Sequence, residues 1–241
     1  MSKCDINLIY YRSLPSTNTE LRRLAAAGAP EGTAVVAAVQ TAGRGRMGRK
    51  FVSPAGGLYM SLLLRPETAD VLRITSAAAV AAARTVKEEF GIDCGIKWVN
   101  DLYLDGKKVC GILTEAAYSS PGGPDYAAVG IGLNLSDPEG GFPEELRDIA
   151  GSIGVKCDRD TLIETAERIA LTLVDTYRDP SLFIDEYRAR STVIGKDIYV
   201  ISDGIAVKAR ATGVDDGCGL IVETEKGTEI LRSGEISIRP R

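Results

Sequence analysis

Histidine is absent from the 241 residues of this chain. Ser-His-Asp and Cys-His nucleophilic mechanisms go with it, because both need an imidazole base beside the nucleophile. Cysteine is sparse and scattered, at positions 4, 94, 110, 157 and 218, odd in number and without a Cys-x-x-Cys pair. That pattern argues against a zinc site or a disulfide framework and for a reducing cytosol. No apolar run approaches membrane-spanning length. The alanine-rich Ile74–Ala83 is too short, and Arg84 and Lys87 soon follow it. Nothing at the N-terminus reads as a signal peptide, so the expected location is cytoplasmic and no membrane partner is expected. Excess basic charge is missing too. The net charge is −4, which gives no support to a DNA or RNA ligand. With 44% hydrophobic and 26% charged residues, the chain can bury one large domain and a small one.

Against that acidic background, residues 40–51 are a local exception. Gly43, Gly45 and Gly48 alternate with Arg44, Arg46 and Arg49, and Lys50 and Phe51 follow. The apolar run Thr33–Val39 before them reads as a buried strand. Glycine lets backbone turn sharply and approach a ligand closely, and arginine offers fork-shaped donors to carboxylate and phosphate oxygens. A flexible cationic loop at a strand end is a candidate anion-binding lid. Neither common phosphate fingerprint is matched. A solvated basic loop or a nucleic-acid contact is the competing reading from this loop alone.

The remaining pattern predicts alternating strands and helices. Asn7–Leu14 reads as a strand, and a helix opens at Ser16-Thr17-Asn18 with Thr17 and Glu20 spaced as a capping box and Gly28 as its terminator. Leu58–Leu64 is a strand entered through Gly56-Gly57, and Ile74–Phe90 is a helix stopped at Gly91. Gly95–Val99, Leu102–Leu104 and Lys108–Ala117 are short strands, the last two joined at Asp105-Gly106, a strong hairpin signal. Pro121–Pro124 reads as a surface loop, Tyr126–Leu135 as a strand and Pro138–Pro143 as an exposed turn. Asp158–Tyr177 is an amphipathic helix, and another runs from Pro180 to about Ala189. Beyond about Thr192 come four short strands, Asp197–Ile201, Ile205–Val214, Leu220–Glu225 and Glu229–Ile238, split at Asp203-Gly204, Asp216-Gly217 and Lys226-Gly227. The expected class is α+β, a mixed sheet with packed helices over residues 1–192 and a small β-barrel or sandwich over 193–241.

Three further blocks carry polar residues in an otherwise apolar setting: Ser16-Thr17-Asn18, Ile96-Lys97-Trp98-Val99-Asn100-Asp101, and Gly130-Ile131-Gly132-Leu133-Asn134-Leu135. Together with the arginine-glycine loop, in this order, they resemble biotin protein ligase, from about Tyr11 to Ile238 and including Gly234-Glu235-Ile236-Ser237. One departure is Val99, where the family usually has proline; a change in turn stiffness rather than chemistry is expected. The resemblance implies a class II synthetase-like core with an SH3-like C-terminal barrel, without the N-terminal helix-turn-helix that repressor members carry. It also implies biotin and ATP as substrates, Mg²⁺ with the nucleotide, a biotin carboxyl carrier domain as acceptor, and possible homodimers. Biotin and ATP would give biotinyl-5′-AMP, from which a carrier lysine takes the biotinyl group. Such chemistry needs no protein nucleophile, which suits a chain without histidine.

By the same resemblance, Arg44 and Arg46 close over biotin's carboxylate and the α-phosphate, while Arg49 and Lys50 face the ATP phosphates. Lys97 bridges the carboxyl oxygen and the α-phosphate as the bond forms. Ser16, Thr17 and Gln40 contact the ureido ring, with Asn18, Gly43 and Gly111 in the same biotin set; the capping box explains Thr17 without a ligand. Asn134 resembles the adenine contact, Phe51 either stacks on the base or packs in the core, and Gly111 and Gly132 let backbone approach the ligand. Asn100 and Asp101 fit the ATP side or simply a turn. The loop is expected to be mobile when empty and to order on binding. Magnesium's protein ligands stay open, and Glu115 or Asp101 could serve as base for the acceptor lysine. The rivals are a lipoate or octanoate ligase or transferase, the latter with Cys94 or Cys110 as nucleophile, a nucleic-acid module, and a non-catalytic biotin sensor.

Overall fold

The computed structural model describes residues 5–67, 70–118, 124–202 and 205–237. The expected turns at 121–123 and 203–204, Cys4, and Ile238 at the end of the last expected strand lie outside them. The first seven strands are β1 (Asn7–Tyr11), β2 (Thr33–Ala37), β3 (Gly57–Leu64), β4 (Gly95–Lys97), β5 (Asp101–Leu104), β6 (Lys107–Ala117) and β7 (Tyr126–Asn134). They form one sheet in the order β1-β2-β3-β7-β6-β5-β4. Only β1 and β2 run parallel, the other neighbours being antiparallel. The sheet is mixed, as expected for an α+β fold.

Both faces of its centre are covered, and the two-residue period of a strand decides which residue goes where. Ala34, Val36, Leu62, Leu64, Ala127 and Val129 join the large core under α2 (Val71–Phe90) and α3 (Arg159–Thr176). Val35, Leu63 and Ala128 point the other way, to Leu21 and Ala25 of α1 (Thr17–Ala26). α2 presents an unbroken buried run from Ile74 to Ala83, small enough to lie close on the sheet. Asp70 caps it by accepting from Arg73 N at 2.9 Å, and Gly91 ends it at φ 71°. Asp158 caps α3 through Thr161 N at 3.0 Å.

On the α1 face, the strands beyond the helix are bare of side chains at Gly111, Gly130 and Gly132. Gly132 pairs with Tyr59 on one side and Gly111 on the other, and Gly130 pairs with Ser61 and Leu113. Bare backbone there leaves a depression in the sheet, and the loop 43–50 folds over it. The β5–β6 turn takes Asp105 at φ 50° and Gly106 at φ 79°, the left-handed pair a tight hairpin needs.

After the short α4 (Ile184–Ala189), β8 (Asp197–Ser202), β9 (Ile205–Val214), β10 (Leu220–Thr224), β11 (Gly227–Leu231) and β12 (Glu235–Ser237) form a second, antiparallel sheet in the order β11-β10-β9-β8-β12. Trp98 Nε1 donates to the Cys218 carbonyl at 3.0 Å, and Arg188 Nε to that of Val214 at 2.8 Å. Ala211, Cys218, Leu220 and Ile236 belong to the same buried cluster as the first sheet's large core.

Three sequence expectations need correction. Thr17 is the first helical residue and not a cap: Ser16 holds the N-cap place with no side-chain bond. Glu20 turns instead to the Tyr11 hydroxyl at 3.0 Å and to Arg23 Nη2 at 2.7 Å, so no capping box forms. The helix expected from Pro180 is a single 3₁₀ turn, Pro180–Leu182, separated from α4 by Phe183 at φ −143°. The last expected strand is two, β11 and β12, broken at Arg232-Ser233-Gly234.

Candidate active site

The depression is lined from four directions. The start of α1 contributes Thr17 and Asn18 with Ser16 before them; the loop contributes Arg44 to Met47 and Arg49 to Phe51; β4 to β7 and their turns contribute Lys97, Trp98, Asn100, Asp101, Lys108, Gly111, Gly130 and Gly132; and the second sheet contributes Gly234, Glu235 and Ile236. Gln40 also reaches it.

One end is neutral and polar. Thr17 N donates to Gln40 Oε1 at 2.8 Å, and Thr17 Oγ1 lies 3.1 Å from the same oxygen. Gln40 Nε2 donates to Ser53 Oγ at 3.0 Å. Ser61, wholly buried, donates to Asn18 Oδ1 at 2.5 Å and lies 2.8 Å from Thr17 Oγ1. This array of hydroxyls and amides suits a small neutral ring bearing both donors and acceptors.

The other end is cationic. The loop turns at Met47 (φ 54°) and Gly48 (φ 73°), and Gly45 N donates to Arg49 O at 2.7 Å. Each arginine is held by a different element. Arg44 donates to Glu115 Oε1 at 2.7 Å, Arg46 to Asn100 Oδ1 at 2.8 Å and the Gly234 carbonyl at 3.1 Å, and Arg49 to both Glu235 oxygens at 3.2 and 2.5 Å. Lys108 pairs with Asp101 Oδ1 at 2.6 Å, and Lys97 Nζ lies 5.6 Å from the centre of the Tyr103 ring. The Trp98–Val99 peptide bond is cis.

The residues expected from sequence thus meet at one cavity, apart from Gly43, Asn134 and, of the two candidate bases, Glu115. Gly43 stands at the loop's base, where a Cβ would sit 2.3 Å from Phe51 O. Asn134 donates to the Gly151 carbonyl at 2.8 Å, outside the lining. What approaches Gly132 and Gly111 is the Phe51 ring: added Cβ atoms would lie 2.4 and 2.9 Å from it. Phe51 also meets Tyr59 edge to face at 6.4 Å.

Sequence reasoning missed Lys108, Ser61 and a role for Glu235. Lys108 had a signal: the Asp105-Gly106 hairpin folds it back opposite Tyr103, beside the Asn100-Asp101 block. Glu235 stood in the Gly234-Glu235-Ile236-Ser237 block of the resemblance but with no role attached, and Ser61 had no signal, because it reaches Thr17 and Asn18 only through tertiary packing.

Residues 10–134 match the model of the Biotin/lipoate A/B protein ligase family, and residues 193–239 match the Biotin protein ligase C terminal domain. The chain belongs to the biotin protein ligase family. It is a ligase. The bifunctional ligase/repressor BirA of Bacillus subtilis is 37% identical over 96% of this chain and 74% of its own length. The biotin–[acetyl-CoA-carboxylase] ligase of Paracoccus denitrificans is 32% identical over 92% of this chain and 96% of its own. The structure of a biotin protein ligase from Aquifex aeolicus in complex with biotin and ATP superposes with a TM-score of 0.82 at 31% identity, covering 98% of this chain and 99% of that one.

Within this ligase, the cysteines do not suit a transferase nucleophile. Cys110 is wholly buried and its thiol pKa pushed well up by desolvation, and Cys94 is pushed up to about 11 by burial. Neither lines the cavity. A thiol held protonated is a poor nucleophile.

Proposed function

We propose that the chain is an ATP-dependent biotin–[biotin carboxyl-carrier protein] ligase, with residues 1–192 as its catalytic unit and 193–241 as a β unit that adds Glu235 to the site. The observation that carries this reading is the single cavity with a neutral hydrogen-bonding end at Thr17 and Gln40 and a cationic end at Arg44, Arg46, Lys97 and Lys108. Biotin has the matching halves, a ureido ring and a carboxylate.

In the first step a biotin carboxylate oxygen bonds to the α-phosphorus of ATP. The bond from that phosphorus to the oxygen leading to the β-phosphate breaks, and pyrophosphate leaves. The nucleophile is ionised already, so the protein's task is to bring two anions together and offset their repulsion, which fixed cations do in a site shielded from water. Lys108 and Lys97 are the fixed cations on the sheet, and Arg44, Arg46, Arg49 and Lys50 are those on the loop. In the second step the amine of a carrier lysine bonds to the acyl carbon, the acyl–oxygen bond breaks, and AMP leaves.

Magnesium would arrive as part of the nucleotide substrate. Among the described residues no group of three potential ligands is built. The carboxylates in the lining, Asp101 and Glu235, are already paired with Lys108 and Arg49. An ion held mainly by phosphates fits that donor set.

The test supplies purified protein with ATP, Mg²⁺, a carrier domain, and either biotin or lipoate, and reads carrier mass. A biotin- and ATP-dependent adduct, absent with lipoate, is the expected result. A lipoyl adduct, or none with either acid, overturns the reading.

A further inference from the structure

We infer that Glu115 is a positioning residue that aims Arg44 at the substrate carboxylate and ties it to the ring-binding end of the cavity. This rests on the ligase reading above.

Glu115 lies on β6, on the face that carries Gly111 and Leu113, just outside the cavity lining. Its two oxygens are used in opposite directions. Oε1 accepts from Arg44 Nη2 at 2.7 Å, with Arg22 Nη1 at 3.9 Å. Oε2 accepts from Asn18 Nδ2 at 2.9 Å. Asn18 is buried in α1 and holds Ser61, which touches Thr17, which touches Gln40. One carboxylate therefore fastens an arginine of a glycine-rich loop to a buried amide.

The loop needs such an anchor. Three glycines in six residues leave Arg44 little stiffness of its own, and its side chain is 45% exposed. Glu115 takes one of the five guanidinium N–H donors, which leaves most of the fork for a ligand. With both oxygens engaged and no place in the lining, Glu115 is poorly set to act as the base for an acceptor lysine.

Glu115→Gln keeps the shape and an oxygen for Asn18 but loses the charge facing Arg44. Calorimetric titration of the full chain with biotin is expected to show binding about tenfold weaker in this variant, with the KM for ATP within about twofold of wild type. Biotinamide, which lacks the carboxylate charge, is expected to bind both proteins alike. In an Arg44→Ala background the Glu115→Gln effect is expected to vanish, because the two residues act as one unit. Unchanged biotin binding, equal weakening of biotinamide, or a full effect without Arg44 would overturn the inference while leaving the ligase reading intact. A wild-type protein that binds no biotin overturns both.

Discussion

The ammonium of Lys108 stands 2.6 Å from Asp101 Oδ1 and 6.0 Å from the centre of the Phe51 ring. It is a preorganised cation on a strand, so its position costs nothing at the moment of reaction. Removing one such donor to a developing anion typically costs about 3–4 kcal/mol, or roughly 100- to 1,000-fold in rate. Lys108→Ala is therefore expected to lower biotin-dependent ATP–pyrophosphate exchange by about that factor. Lys108→Arg is not expected to restore it, since a planar fork does not replace a compact charge in a fixed gap. Exchange near the wild-type rate in Lys108→Ala would remove this lysine from the chemistry.

Lys97 faces the same cavity from β4 and is held near Tyr103. Lys97→Ala is expected to lower exchange by at least about 100-fold. Measuring both variants under one set of conditions separates the two lysines. A large loss in only one assigns the transition-state charge to it.

What the sequence made legible was local. The Asp105-Gly106 turn, the Gly91 stop of α2, the span of α3 and the apolar runs of β2, β3 and β7 all follow from neighbours within a few residues, whereas the Asp70 cap, which starts α2 at Val71 and not at Ile74, was not read. The arginine-glycine loop and the Lys97 block announce a site because their residue types are costly to place anywhere else. Thr17 was ambiguous because a hydroxyl before a helix serves either as a cap or as a ligand contact. The helix settles it by starting at Thr17 itself with Ser16 in the cap place, and Gln40, brought alongside by the β1–β2 pairing and the Leu14–Gln40 bridge, takes the Thr17 hydroxyl. Ser61 could not be read, since it is an ordinary strand residue, and neither could the pairing of Glu235, which lies 186 residues from its partner Arg49.

The cysteines predict a pH behaviour. Burial raises the thiol pKa of Cys94 and Cys110 above ordinary values, so the neutral form dominates below that raised range and the thiolate appears only above it. Activity is expected to survive iodoacetamide between about pH 6 and pH 9, where an unperturbed exposed thiol (pKa about 8.5) would react. Rapid inactivation at about pH 8, prevented by biotin, would restore a cysteine to the mechanism.

Glu235 joins the second sheet to the loop through a two-bond pair with Arg49, whose side chain is 56% exposed. Solvent screening makes such a pair a small stabiliser, below about 1 kcal/mol. Glu235→Gln should accordingly leave Tm nearly unchanged. Its effect is expected instead on the phosphate side, as a rise in the KM for ATP of about fivefold with biotin binding unaltered. A several-degree fall in Tm with normal ATP kinetics would make the pair structural only.

Gly130 and Gly132 lie two residues apart on β7 and face the same cavity, yet they sit under different halves of it. A Cβ on Gly130 would stand 2.4 Å from Asn18 Oδ1, whereas one on Gly132 would stand 2.4 Å from Phe51 Cε1 and 2.7 Å from Cζ. Something must shift in each case, and overpacking of this kind costs about 1–3 kcal/mol. The displaced groups differ. Gly130→Ala pushes on Asn18, which holds Ser61 and through it Thr17, so the KM for biotin should rise about tenfold or more. Gly132→Ala pushes on Phe51, which lies against Lys108 and beside Lys50, so the KM for ATP should rise by a similar factor. Steady-state exchange kinetics on both variants read the two constants separately. If both substitutions weaken the same substrate, the division of the cavity into a ring-binding end and a nucleotide end is wrong.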